Sequence, residues 1–202
     1  KALRTVQPSG PYFLGGWSLG GVIAYEMARQ LRASGETVAL LALVDSYVPS
    51  VMAQEPEPDR MQLALMFARD LMGVSLADLS LDLESLSGLE PDAVLERLLQ
   101  QAASAGALPP GTSPEQVRAL FQVFEANLRA SRRYQAPVSS ERVVLFKAED
   151  SGEGLPEDGG WSTLVGSALE RHLLPGDHYT LLRQPGVREL AERLREALKK
   201  AR

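Results

Sequence analysis

The stretch Gly16-Trp17-Ser18-Leu19-Gly20 has the pattern G-x-S-x-G, in which a serine stands between two glycines. The apolar run Tyr12–Leu14 precedes this stretch, and apolar residues at helical spacing follow it. In this pattern the serine lies on a sharp, strained turn from a strand into a helix and serves as a nucleophile. Side chains at 16 and 20 would collide with the adjoining strand and helix, so we expect glycine to be required at both positions.

A serine nucleophile needs a base, and the sequence contains 2 histidines. His172 lies within an apolar strand pattern, where a structural or surface-facing role is expected. His178 follows Pro175-Gly176-Asp177, in a loop just beyond that strand. Because open α/β sheets place their chemistry beyond the carboxyl ends of the strands, His178 is the preferred base.

The base must in turn be oriented by an acid, for which two places along the chain are suitable. Asp45 ends an aliphatic strand, and Glu149 and Asp150 follow the next one. Either place gives the chain order serine, acid, histidine. We prefer Asp45, since Glu149 and Asp150 open a strongly acidic and solvated loop. Asp177, adjacent to His178, is expected to serve its own loop.

Hydrophobic periodicity predicts the elements that position these residues. Tyr12–Leu14 ends a buried strand, and the residues from Val22 to Leu31 show the apolar spacing of a helix. The nearly continuous aliphatic run at 37–45 is typical of a parallel strand that is covered on both faces. Residues 1–48 are therefore predicted to form the strand–helix–strand unit of the nucleophile elbow. The helix points its N-terminus at Ser18, so the backbone N–H of Leu19 is the expected oxyanion donor.

The rest of the chain separates into two segments. Residues 49–138 show no strand pattern and are predicted to be a helical insertion, with helices at Met61–Leu71, Ala93–Ala103 and Glu115–Arg132. Residues 139–202 return to the core, with strands in RVVLFKA and ALERHLLPGDH and an amphipathic helix at Val187–Ala201. We therefore predict a single α/β domain, a mostly parallel sheet flanked by helices and interrupted by a helical lid.

Composition excludes several classes of function. A chain of 202 residues with a formal charge of -5 and no cysteine has no disulfide, thiolate metal site or cysteine nucleophile. The acidic balance gives no basic surface for nucleic acid or for a membrane. No apolar run approaches the roughly 20 residues that span a bilayer, and the N-terminus lacks the apolar segment of a signal peptide. We expect a cytoplasmic domain without a metal.

The segment GPYFLGGWSLGGVIAYEMARQLRASGETVALLALVDSYVP, with GDHYTLL far downstream, resembles the thioesterase domains of nonribosomal peptide and polyketide synthases. These domains belong to the α/β-hydrolase superfamily. The resemblance is close over Pro8–Pro49 and looser from Arg142 onward, and the middle matches only as a helical lid. It implies a serine hydrolase in which Ser18, Asp45 and His178 form the catalytic triad, which supports Asp45 over Glu149 and Asp150.

The resemblance also implies a substrate. An acyl or peptidyl chain would arrive as a thioester on the phosphopantetheine arm of a carrier protein, expected in the same polypeptide. Ser18 would take the chain, and water or an internal nucleophile would release an acid or a ring at the end of an assembly line. No cofactor is expected in the domain itself. Contact with substrate is expected from Trp17, Leu65, Met66, Phe121 and Phe124, with helix–helix core packing as the alternative for those in the lid.

In the resembling family several strands precede the nucleophile elbow, and an early loop supplies the second oxyanion N–H. Only residues 1–17 precede Ser18 here, so the N-terminal part of the fold is expected to be absent from this chain. Alternative functions remain open. The chain could be a stand-alone editing thioesterase. It could also be a general serine esterase, which a preference for free esters over carrier-bound thioesters would distinguish from either kind of thioesterase. It could also be a truncated, catalytically incomplete interaction fragment.

Overall fold

The computed structural model describes residues 2–54, 56–73, 93–94, 96–98, 100, 111–151 and 154–201. The chain divides into two compact units, one of residues 1–54 and 134–202 and the other of residues 55–133. The second unit falls within the insertion predicted at 49–138, and its role as a lid stays a prediction. Part of the helix predicted at Ala93–Ala103 lies outside the described residues.

Parallel strands build the sheet of the first unit, and within the described residues they pair in the order in which they occur along the chain. These strands are β1 (Tyr12–Trp17), β2 (Val38–Val44), β3 (Val143–Ala148) and β4 (Leu169–Leu174). The runs VALLALV of β2 and VVLFKA of β3 are apolar almost throughout, as expected where both faces of a parallel sheet are covered. The four predicted strands are confirmed.

The helices of the described residues are α1 (Ala2–Val6), α2 (Leu19–Ala33), α3 (Pro49–Met52), α4 (Arg60–Met72), α5 (Pro114–Arg133), α6 (Ser162–Val165) and α7 (Gly186–Lys200). Short 3₁₀ helices lie at Gly166–Ala168 and Thr180–Leu182. The structure confirms the predicted helices that became α2, α4, α5 and α7. The short helices α1, α3 and α6 contain too few residues for a periodic pattern to show. Over the ranges described above, no helix has the length and apolar character needed to cross a bilayer.

The two faces of the sheet pack against different helices. On one face, Leu41 and Leu145 pack with α2 and with Trp161, which is completely buried. On the other face, Ala42 and Phe146 pack with α7. Successive residues of a strand point to opposite faces, so neighbours such as Leu41 and Ala42 enter different layers of the core. The result is the predicted α/β architecture, a parallel sheet flanked by helices.

The second unit has a small core of its own. The side chain of Asp59 accepts the N–H of Gln62, and the Gln62 side chain accepts the N–H of Asp59, which forms a capping box at the start of α4. The ring of Phe67 lies 5.3 Å from that of Phe121 and 5.6 Å from that of Phe124. The apolar faces of α4 and α5 therefore pack on each other.

Candidate active site

Ser18 joins β1 to α2 in a strained backbone conformation. Its φ of 55° and ψ of -126° lie where residues other than glycine are uncommon. The Ser18 N–H donates to the carbonyl oxygen of Val44 at 3.0 Å, so the pairing of β1 with β2 continues up to the serine. The N–H of Gly21 then donates to the Ser18 carbonyl at 3.0 Å as the helix begins. The sharp strand-to-helix turn predicted from the G-x-S-x-G pattern is confirmed.

The glycines around this turn differ in how much space a Cβ atom would have at each position. A Cβ on Gly16 would lie 2.0 Å from the carbonyl oxygen of Gly20, and a Cβ on Gly21 would lie 2.5 Å from Oγ of Ser46. A Cβ on Gly20 would have no atom of the described residues within 4 Å, apart from its chain neighbours and the nearby backbone of its own helix. The expectation that a side chain at position 20 would collide is therefore wrong. Gly21 has that role instead, because α2 packs at this point against Ser46, just beyond the end of β2.

Alanine substitutions at positions 16 and 20 test the difference between a glycine whose Cβ would collide and one whose Cβ would not. Gly16→Ala is expected to lower the free energy of unfolding by about 3 kcal/mol or more, because the backbone at the start of α2 must move to admit the methyl group. Gly20→Ala is expected to change it by less than about 1 kcal/mol, because the methyl group enters open space and alanine favours a helix. Urea unfolding of both variants measures the difference. Equal destabilisation by the two would contradict this packing.

Asp45 lies directly after β2 with a φ of 39° and is 0% exposed. Its Oδ2 is 2.6 Å from Nδ1 of His178. Burial by itself would raise the pKa of the Asp45 carboxyl, but hydrogen bonds from His178 and Lys147 and the charge of Lys147 outweigh it and hold that pKa below its ordinary value. An ionised carboxylate only accepts hydrogen bonds, so Nδ1 of His178 is the donor. Nε2 is then the basic nitrogen of the neutral ring.

The loop that carries His178 has a fixed shape. Oδ1 of Asp177 accepts the N–H of Tyr179 at 2.9 Å and that of Thr180 at 2.8 Å, which is the pattern of an Asx turn. Gly176 has a φ of 98°, and a Cβ there would lie 2.6 Å from Oγ1 of Thr180. The expectation that Asp177 serves its own loop is confirmed.

Trp17 holds His178 from the side of the serine turn. Its ring stacks on the imidazole with centroids 4.7 Å apart and planes inclined by 27°. Its Nε1 donates to the carbonyl oxygen of His178 at 3.1 Å. Since Trp17 directly precedes Ser18, these contacts bring His178 to the residue next to Ser18. The predicted contact of Trp17 with substrate stays a prediction.

Two residues that sequence reasoning missed complete the surroundings of Asp45. Nζ of Lys147 lies 2.9 Å from Oδ1 of Asp45, and Oγ of Ser151 lies 2.8 Å from the same oxygen. The backbone N–H of Ala148 also donates to Oδ1, at 3.1 Å. One signal was present in the sequence, because Lys147 is a charge within an otherwise apolar strand and lysine is rarely buried unless it is paired.

The competing candidates lie elsewhere. Glu149 and Asp150 are exposed, and the structure brings Asp45 rather than either of them to His178. His172 lies in β4, where its Nε2 is 3.1 Å from Oε1 of Glu170 and its ring stacks on that of Phe146 at 5.4 Å. These contacts give His172 the structural surroundings that were expected of it.

The remaining predicted site residues have mixed outcomes. Phe121 is 4% exposed within the core of the helical unit, so its surface is used for packing there. Leu65 and Phe124 also pack on that core but are only half-buried, as is Met66, and the contact of these three with substrate stays a prediction. Leu19 is the first residue of α2, where backbone N–H groups have no acceptor in an earlier turn. Its role as oxyanion donor also stays a prediction.

The arrangement suits acyl transfer through a serine. A strained turn presents the hydroxyl of Ser18, a buried carboxylate orients His178, and the N-terminus of a helix of 15 residues favours negative charge at the turn. Among the described residues, no group of three or more His, Asp or Glu side chains is arranged so that it could hold a metal ion.

Comparisons with known proteins agree with this chemistry. A family model described as thioesterase domain matches residues 1–198. The non-reducing polyketide synthase PKS16 of Cladonia grayi is 33% identical over 194 residues, which make up 92% of this chain and 9% of that protein. The chain thus spans about a tenth of the length of this relative.

Two solved structures are similar over nearly the whole chain. The four-domain nonribosomal peptide synthetase holo-AB3403, bound to AMP and glycine, has 34% identity and a TM-score of 0.86, over 96% of this chain and 15% of that one. The NocB thioesterase domain, in covalent complex with a fluorophosphonate nocardicin G analog, has 27% identity and a TM-score of 0.63, over 98% of this chain and 70% of that one.

Proposed function

Because the chain belongs to the thioesterase domain family and has its α/β-hydrolase fold, we propose that it releases an acyl or peptidyl chain from the phosphopantetheine arm of a carrier protein. The observation that carries the proposal is the 2.6 Å contact of the buried Asp45 with His178, whose ring stacks on the residue before Ser18. We place this reaction in the cytoplasm, at the end of a polyketide or nonribosomal peptide assembly line, with the carrier protein in the same polypeptide.

The first half of the reaction forms an acyl-enzyme. Oγ of Ser18 attacks the thioester carbonyl while Nε2 of His178 takes the hydroxyl proton. The oxyanion of the tetrahedral intermediate accepts a hydrogen bond from the N–H of Leu19, at the positive end of α2. The carbon–sulfur bond then breaks, and His178 returns the proton to the departing phosphopantetheine thiol.

The second half releases the chain from Ser18. Water, or a hydroxyl or amine of the chain itself, attacks the ester carbonyl while His178 takes its proton. Collapse of the intermediate breaks the bond to Oγ of Ser18, which receives that proton. The product is an acid when water attacks and a ring when the chain attacks itself. In both halves the negative charge of Asp45 stabilises the imidazolium that forms.

Two relatives support the choice of substrate and chemistry. PKS16 is a polyketide synthase and holo-AB3403 a nonribosomal peptide synthetase, which favours a thioester over a free ester as the substrate. The covalent complex of the NocB thioesterase domain with a fluorophosphonate favours an acylated nucleophile in the family.

A comparison of three matched substrates tests this proposal. The acyl group would be presented as a carrier-bound thioester, as a free N-acetylcysteamine thioester and as the corresponding oxygen ester. We expect kcat/KM to be at least about tenfold higher for the carrier-bound thioester than for either free substrate, because the carrier and its arm add contacts that the free esters lack. A preference for the free oxygen ester would overturn the proposal in favour of a general serine esterase.

A further inference from the structure

Lys147 is a buried cation that the proposed reaction does not by itself require. It is the one charged residue in β3, and its side chain is 3% exposed. Lysine is almost never buried this deeply unless an opposite charge and hydrogen-bond acceptors compensate for the lost water. An apolar side chain at this position would avoid the free-energy cost of burying a charge. The presence of a lysine here therefore suggests that its charge has a function.

The ammonium group of Lys147 is anchored to the backbone that follows β3. Its Nζ donates to the carbonyl oxygen of Ala148 at 2.8 Å and to that of Ser151 at 3.0 Å, and it also contacts the Ser151 hydroxyl. The ring centroid of Tyr47 lies 4.9 Å from Nζ, which is a cation–π distance. The position of the charge is therefore set by the fold and does not depend on the contact with Asp45 alone.

The two carboxylate oxygens of Asp45 have different partners. Oδ1 is 2.9 Å from Nζ of Lys147 and accepts the N–H of Ala148, whereas Oδ2 faces Nδ1 of His178. The hydroxyl of Ser151 lies 2.8 Å from Oδ1 and 2.9 Å from Oδ2. The carboxylate cannot rotate without losing its partners at Oδ1, so Oδ2 stays directed at His178.

We infer that Lys147 is a positioning residue that holds the Asp45 carboxylate toward His178 and offsets part of the negative charge of that carboxylate. This inference rests on the proposed catalytic roles of Ser18, Asp45 and His178. An anion beside an imidazole favours the protonated ring, and a cation behind that anion opposes the effect.

Three other titratable side chains lie near the Asp45–His178 pair or near Lys147. Asp177 precedes His178 and is committed to backbone N–H groups of its loop. The ring of Tyr179 lies 5.1 Å from the imidazole, and Tyr47 faces Lys147, but tyrosine is uncharged near neutral pH. Replacing Lys147 by a neutral residue therefore removes one charge from behind Asp45 and leaves these neighbours in place.

The pH dependence of the phosphonylation of Ser18 by a fluorophosphonate, in which Oγ attacks phosphorus and fluoride leaves, tests this inference on the full chain. In Lys147→Met the midpoint of the acid limb is expected to rise by about one pH unit. Lys147→Arg keeps the charge and is expected to bring the midpoint back toward that of the parent. Lys200→Met is the matched control, because it deletes the same ammonium from an exposed ion pair with Glu170, at 3.1 Å, and is expected to leave the midpoint unchanged.

An unchanged midpoint in a folded Lys147→Met chain would overturn the inference, even if the plateau rate were lower, because a purely structural role predicts that combination. If the methionine variant does not fold, Lys147→Gln keeps a hydrogen-bond donor without the charge and must show the same upward shift. Absence of any phosphonylation in the parent chain would overturn the proposed function instead. The two failures are therefore distinguishable.

Discussion

Replacing Ser18 with alanine is expected to lower kcat for thioester release by about 10⁵-fold or more, because no acyl-enzyme can form. Oγ of Ser18 is the only group of the proposed triad that forms a bond to the substrate. The measurement is single-turnover release of an acyl group from a carrier-bound thioester, with thermal unfolding recorded beside it. The fold is expected to persist, since alanine keeps the Cβ of serine at this strained position and the Ser18 side chain makes no capping hydrogen bond to α2 that would be lost.

Ser46→Ala is the matched control for this substitution. Ser46 is 0% exposed and lies one residue after Asp45, and its hydroxyl has no hydrogen-bond partner within the described part of the chain. Removing a buried hydroxyl without a partner is close to neutral for stability, so turnover is expected to stay within about twofold of the parent. A Ser18→Ala chain that retained more than about 1% of the parent rate would remove Ser18 as the nucleophile.

Asp45→Asn is expected to lower kcat by about 10³- to 10⁴-fold. An amide can donate to Nδ1 of His178 and so favour the tautomer in which Nε2 carries the proton and cannot act as a base. The substitution also leaves Lys147 without its ion pair in a buried position, so the free energy of unfolding is expected to fall by about 3 kcal/mol. Steady-state kinetics with a thioester substrate, together with urea unfolding, separates the two effects.

Glu149→Gln and Asp150→Asn make the same chemical change at the two alternative acids. Both side chains are exposed, so these variants are expected to keep turnover within about twofold of the parent. Near-normal turnover in Asp45→Asn combined with a large loss in either of the other two would move the acid to the loop after β3.

Periodicity was enough to predict the elements that carry the site. The apolar run of β2 and the apolar stripe of α2 specify a strand–helix–strand unit around Ser18, and the carboxyl ends of parallel strands meet at one edge of a sheet. The choice of acid was harder. Chain order permits Asp45, Glu149 and Asp150 alike, and the choice depends on a contact with His178 across 133 residues of sequence.

The supporting contacts lay beyond sequence reasoning because they join residues that are distant along the chain. The N–H and one ring face of Trp17 contact His178, 161 residues away, and its contact with substrate stays a prediction. The G-x-S-x-G pattern predicts that glycine is required at position 20. In the structure, Ser46 approaches closely after β2, so a side chain has no room at Gly21. The burial of Lys147 likewise follows from its contacts with Asp45 and with the backbone after β3.

The intact mass of the chain after treatment with a fluorophosphonate, measured beside Ser18→Ala, tests the central claim most directly. An activated serine attacks phosphorus and expels fluoride while the neighbouring base takes the hydroxyl proton. The mass increase therefore depends on the serine and on its base together. The account predicts a single adduct on the parent chain and none on Ser18→Ala. An adduct that persists in Ser18→Ala, or a parent chain that stays unlabelled, would contradict it.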